Sequence, residues 1–494
     1  MTSHLATAGV LLALMGSTAS GAPAPPARHH LRIQTDVSPT TNLIHWVDNL
    51  AGTSAGKTMP VYQRYWRDRF GPHDQSDTSA LQAFARIRRL QVPVARGTAL
   101  NESGCLPVPP EVPGWHQIFM TQAMSARSIQ GFTGSLSDQL SPADRQDLAS
   151  ALERFRPRFE KVWPALGHVR RFEGRFKRFL RKGELPDYLS DVAELLDVDA
   201  GAAPPVTISL VGLPLDGPTH AEADGAHLLI EIRPEDSPED QIPVVSHEAS
   251  HYLMAQWTTS QVDRLAAQAF AEGAAGGLLW RYLWEGLPTA LGQGLAERRL
   301  REEAFSLSAP WYHIDAIDRF AKLIYPQVAQ ASEKSMHLED GPLRGMVGAL
   351  DASSLAREAR AVEYLTTAFY VAGDGLAQTT DGGLRGARRL DDPVVSDLLR
   401  RYACLGGIVL TRGDELPRAA RIDGTQLISL DLLANLWGHL AAGQSAIIAS
   451  RRAGGGIVLF VVVPESNRVR EALDALDRLR GLPEAPVFIP PGGS

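Results

Sequence analysis

Apolar residues recur at helical spacing along most of this chain. In Arg171–Gly183 (RFEGRFKRFLRKG), Phe172, Phe176 and Phe179 fall on one helix face, and the stretch from Leu31 to Val198 reads as mostly helical. The pattern changes at Asp199–Val206 (DAGAAPPV). Val206–Gly212 (VTISLVG) and Ala226–Pro234 (AHLLIEIRP) then read as strands, the second with Leu228, Ile230 and Ile232 alternating onto one face. Helical spacing dominates again to about Arg401. Beyond it GGIVLT, AIIASRR and GGIVLFVVV read as strands, with LISLDLLANLWGHL and NRVREALDALDRLRG as helices between and after them. The predicted fold class is α+β, mainly helical. It divides into a helical N-terminal region (31–200), a central domain (201–402) and a small C-terminal α/β module (403–494).

The first residues change the picture of where the protein works. Leu5–Met15 (LATAGVLLALM) has the length of a signal-peptide apolar core, and small residues (GSTASGA) follow it. Residues 1–21 are expected to be an export signal and 22–30 (APAPPARHH) a linker, which predicts a secreted or periplasmic protein with no stable membrane span. An exported chain can join its two cysteines, Cys105 and Cys404, but their spacing does not show that they meet. Lys and Arg total 49 against 56 Asp and Glu, a net charge of −7, which argues against a general nucleic-acid or anionic-membrane role. The arginines between the phenylalanines of 171–183 accordingly read as a solvated basic face.

Ala51–Thr58 (AGTSAGKT) matches a relaxed phosphate-loop pattern. The stretch before it (NLIHWVDNL) has helical rather than strand spacing, and Pro60 disfavours helical geometry at Met59. The segment is expected to be a polar turn.

The candidate chemistry lies in Pro243–Trp257 (PVVSHEASHYLMAQW). Residues i and i+4 share a helix face, so His247 and His251 can direct two imidazole nitrogens at one metal. Glu248 then projects beside that metal, placed to take a proton from water. A catalytic zinc needs a third protein ligand and an open position. Two glutamates compete for that place. Glu272 precedes a glycine-rich break, where a helix C-terminus disfavours a carboxylate. Glu285 sits among Trp280, Leu283, Trp284 and Leu287, where a carboxylate needs a cation, and it is the expected ligand.

HEASH followed by WEGLPTA resembles the gluzincin metallopeptidases, the thermolysin-like clan, over about Val206–Arg299. The resemblance implies a zincin core with an edge strand, an active-site helix and a glutamate helix. It matches His247, His251 and Glu285 to the zinc (Zn2+) ligands, Glu248 to the general base, and AHLLIEIRP to the edge strand that pairs with an extended peptide. Thr289 stands where the clan has an Asp partner for the first histidine. The clan also uses a Tyr or His to steady the tetrahedral intermediate; Tyr312, His313, Tyr364 and Tyr370 are all candidates. The expected function is that of an exported zinc peptidase acting on a peptide or protein substrate. The alternative is an inactive or metal-holding binding protein of the same fold.

Overall fold

The computed structural model describes residues 30–90 except 55 and 57, 115–365 except 216, 369–372, 376, 388–389, 406–422, 425–452 and 456–491. The export signal, the linker up to residue 29, and both Cys105 and Cys404 lie outside the described residues. The described chain is α+β and mainly helical.

Among the described residues, eight α-helices of the N-terminal region pack through their apolar faces. The first, Pro39–Leu50, starts at Ser38, whose hydroxyl accepts from the Thr41 amide, with Pro39 in the first turn where no amide hydrogen is needed. Trp46 meets Tyr62 and Trp66 of the helix Met59–Phe70 and Phe159 of the helix Pro142–Val162 in edge-on or tilted ring contacts. The described residues of 51–58 (51–54, 56 and 58) form a turn between the first two helices, in line with the polar turn expected of this segment. The expectation that Pro60 keeps Met59 out of a helix is corrected: Met59 opens a helix with Pro60 in its first turn, a position that tolerates proline's missing donor. The helix Gly167–Leu180 buries Phe172, Phe176 and Phe179 and leaves its arginines outside.

This region is welded to the central one. Strand β1 (Ile33–Asp36) pairs in parallel with β2 (Val206–Gly212), and β2 with β4 (His227–Ile232). Strand β3 (Ala221–Asp224) runs antiparallel to β4, giving the order β1-β2-β4-β3. Asn42 fastens the first helix to β2, donating to the Leu210 carbonyl at 3.2 Å and accepting from the Gly212 amide at 2.9 Å. AHLLIEIRP is therefore an interior strand, not the edge strand expected of it. The edge is β3, reached through a tight Asp224–Gly225 turn with Gly225 at φ +59°.

The C-terminal sheet contains β5 (Phe369–Ala372), β6 (Arg388–Arg389), β7 (Gly407–Arg412), β10 (Ser445–Arg451), β11 (Ile457–Val463) and β12 (Val487–Ile489). Its order is β12-β10-β11-β7-β5-β6; β8 (Arg421–Ile422) and β9 (Thr425–Gln426) form a separate small hairpin. Phe369–Ala372 falls where the sequence predicts helix, but pairing with β7 makes it a strand, so the sheet draws on residues ahead of 403. Both faces of β11 are covered. Val458, Phe460 and Val462 pack with Leu433, Leu436 and Leu440 of the helix Leu430–Ala441, while Leu459, Val461 and Val463 join the main core. That explains its unbroken apolar run. Among the described residues, no helix is long and apolar enough to cross a membrane.

Candidate metal centre

Two helices carry the centre. The first, Ile242–Met254, places His247 and His251 one turn apart with both rings buried and their Nε2 atoms 3.1 Å from each other. The second, Ala274–Thr289, continues through a wider π-helical stretch, Ala290–Ala296. It brings the half-exposed Glu285 to the pair, with Oε2 3.6 Å from His247 Nε2 and 3.5 Å from His251 Nε2. All three ligand atoms lie within 4.8 Å of one another. A tetrahedral zinc with bonds of about 2.0–2.1 Å sets its ligand atoms about 3.3 Å apart, so the donor set and its spacing fit that ion.

Glycine makes this approach feasible. A Cβ on Gly292 would stand 2.5 Å from the Pro243 carbonyl oxygen and 3.0 Å from His247 Cβ, so the stretch beyond Glu285 lies directly on the histidine helix. The Tyr188 hydroxyl donates to the Leu291 carbonyl at 2.6 Å, satisfying an acceptor in the widened turn.

The surrounding groups set the electrostatics. Burial raises the Glu285 carboxyl, but His251 and His247 outweigh it and hold the group well below its usual range. Glu248 is buried beside them. Burial pushes its carboxyl up to about 7, with His247 opposing and Glu285 adding to the rise. Tyr312 stacks on His247, ring centroids 5.9 Å apart, and its hydroxyl donates to Glu285 Oε2 at 3.0 Å. Asp318 holds that segment by accepting the Trp311 and Tyr312 amides. Trp284 flanks His251 at 4.9 Å. Thr289 Oγ1 lies 3.5 Å from His247 Nδ1.

The other sequence candidates are placed apart. Glu272 caps the helix Thr259–Ala271 and pairs with Arg344 at 2.9 Å. The Tyr364 hydroxyl donates to the Ala356 carbonyl at 2.6 Å. His313 is exposed and stacks on Tyr312. The Tyr370 side chain lies outside the described residues.

Sequence reasoning missed a polar network along β3. Glu231 of β4 is fully buried. Its Oε1 accepts from His45 Nε2 at 2.8 Å and from the hydroxyls of Thr58 and Tyr62 at 2.9 Å each, and its Oε2 accepts the His220 amide at 2.8 Å. One carboxylate thus ties the 51–58 turn to the start of the edge strand. Beyond it, His116, Glu222 and Asp224 offer ligand atoms within 4.8 Å of one another. Arg88 Nη2 approaches His116 Nδ1 at 3.1 Å, and a guanidinium only donates, so the ring proton sits on Nε2 facing Glu222 at 3.3 Å. That arrangement is a hydrogen-bonded ion network rather than an open ligand set. The Asp-Gly pair at 224–225 was the one sequence signal of this hairpin.

A scan against protein-family models and searches of curated proteins and of solved structures return no match to this chain.

Proposed function

We propose that this chain is a zinc-dependent peptidase of the gluzincin type, hydrolysing peptide bonds with Glu248 as general base. The observation that carries this reading is the convergence of His247 Nε2, His251 Nε2 and Glu285 Oε2 beside a buried Glu248. Those three side chains would hold the ion. When bound, zinc supplies Lewis-acid polarisation of a carbonyl and acidifies water. Glu248 takes the proton as water attacks and returns it to the departing amine. Among the described side chains of Tyr312, His313 and Tyr364, Tyr312, with its hydroxyl beside Glu285, is the one that would donate to the oxygen gaining charge. The outer edge of β3, which pairs with β4 alone among the described strands, offers backbone groups to an extended peptide. The proposed site of action, outside the cytoplasm, rests on the apolar run Leu5–Met15.

The test is metal content together with a fluorogenic peptide-library assay on wild type and Glu248→Gln. The wild type should hold one zinc per centre and cleave peptides. The variant should keep the zinc and lose about 10²–10⁴-fold of the rate. Undiminished cleavage by the variant would remove Glu248 from the chemistry. Absence of zinc from the wild type would remove the metal centre itself.

A further inference from the structure

The helix Gly167–Leu180 carries a groove of about 470 Å³ lined by His168, Arg170, Arg171, Arg175 and Arg178, with Gly174 and Pro234 completing it. No carboxylate among the described residues pairs with any of these four arginines. Arg170 lies over the Trp163 ring at 5.3 Å and Arg175 donates to the Asp236 carbonyl at 2.8 Å. Among the described residues Arg171 and Arg178 have neither kind of contact. The carboxylates nearby are engaged elsewhere: Glu173 with Lys177 at 2.7 Å, and Glu235 and Asp236 with Arg233 at 3.3 and 2.7 Å.

The same molecule treats another arginine-rich helix differently. On Pro142–Val162, Arg154 and Arg158 both grip Asp77, and Arg156 pairs with Glu153. Arg171, Arg175 and Arg178 instead share one helix face at i, i+4 and i+7, where like charges repel one another. Phe172, Phe176 and Phe179 are buried in the core on the adjoining face, about 100° round the helix, which anchors the helix with its positive row outside. Gly174 leaves space between the arginines, since a Cβ there would meet nothing within 4 Å. Planar guanidinium forks around an open floor match the paired oxygens of a phosphate group.

We propose that this groove binds a phosphate-bearing anion, either a free phosphate compound or a phosphate lipid headgroup. The chain is acidic overall, so the attraction is local to this helix and screened by salt. The groove is independent of the metal centre, and the proposal does not rest on the peptidase reading.

The test uses the full chain and the variant Arg171→Glu/Arg178→Glu, whose replaced side chains make no hydrogen bond or ion pair among the described residues. Pyrophosphate is titrated into each by calorimetry at low and high NaCl. Both proteins keep the same His/Glu centre, so chelation there cancels in the comparison. Wild type should bind at least about tenfold more tightly than the variant, with the difference shrinking as salt rises. Gly174→Trp, which fills the floor, should weaken binding as well. Sedimentation with phosphatidylcholine vesicles, with and without phosphatidic acid, separates the two sources. Capture that needs phosphatidic acid and is lost in the double variant assigns the headgroup, whereas pyrophosphate binding alone assigns the free anion. Equal affinity of wild type and double variant for pyrophosphate, or no binding of either probe, would overturn the proposal.

Discussion

Thr289 Oγ1 donates to the Glu285 carbonyl at 2.7 Å and faces His247 Nδ1 at 3.5 Å. A hydroxyl whose proton is already given can only accept from the ring. With a metal on Nε2, as proposed above, Nδ1 would therefore carry the imidazole proton and leave the Nε2 lone pair to the ion. In the zinc centre proposed above, Thr289 would orient the His247 ring through this contact, which is longer and weaker than a carboxylate would make. Thr289→Val should lower zinc affinity by about tenfold or more, and Thr289→Ser should retain it. Chelator competition measures this. Equal affinities for all three proteins would show that Thr289 does not set the tautomer.

Among the described residues the Tyr312 hydroxyl has one hydrogen-bond partner, Glu285 Oε2 at 3.0 Å, and a neighbouring oxygen gaining negative charge would compete for its proton. Burial, then the Glu285 charge, raises this phenol far above its usual range, so it remains a donor at every working pH. Tyr312→Phe should cut kcat by about 10²-fold while KM and zinc content hold. Tyr364→Phe removes a hydroxyl bonded to Ala356 and should leave kcat unchanged. Steady-state kinetics on the two variants separates the roles, and a Tyr312→Phe enzyme with wild-type kcat would exclude the donor.

The parts of this site that were legible in the sequence are those fixed by local geometry. A helix alone sets the spacing of His247 and His251, and apolar neighbours marked Glu285 as lying on a packed element. The Phe172–Phe176–Phe179 stripe is likewise a property of one helix. What stayed hidden depends on partners distant in sequence. Strand β3 has four residues, AEAD, with no strand preference of their own; pairing with β4 and the grip of Glu231 on His220 make it an edge. Strand β1 is equally short and exists by pairing with β2, some 170 residues away in the register Ile33 to Val206. The choice among Tyr312, His313 and Tyr364 needed the fold, because no spacing rule brings an aromatic residue to a carboxylate on another helix.

Gly292 sets the distance between the helix of His247 and His251 and the helical stretch beyond Glu285. Any Cβ there collides with the Pro243 carbonyl and the His247 side chain, and backbone atoms have no easy way to yield. Gly292→Ala should destabilise the protein by about 1–3 kcal/mol, the usual effect of overpacking, and should weaken zinc binding by separating Glu285 from the histidines. Thermal melts of the metal-free protein report the first effect and chelator competition the second. A variant that melts lower yet binds zinc normally would mean that the helices move together and the centre survives.

Asp77 supports the N-terminal region through charge. Burial alone would raise its carboxyl, but the guanidiniums of Arg158 and Arg154 more than reverse this and hold it at about 2 against 3.8 when free. A group depressed on folding contributes stability above its unfolded value and loses it as pH falls through the folded one. The shift corresponds to about 2 kcal/mol, present in full above about pH 5. Asp77→Asn should therefore be less stable than wild type by about that amount at pH 7. The gap should narrow progressively below about pH 4, where protonated Asp77 resembles the amide. Urea unfolding of both proteins across this range, with far-ultraviolet circular dichroism as the probe, measures the gap. A pH-independent difference would show that Asn disturbs packing rather than removing the ion pairs.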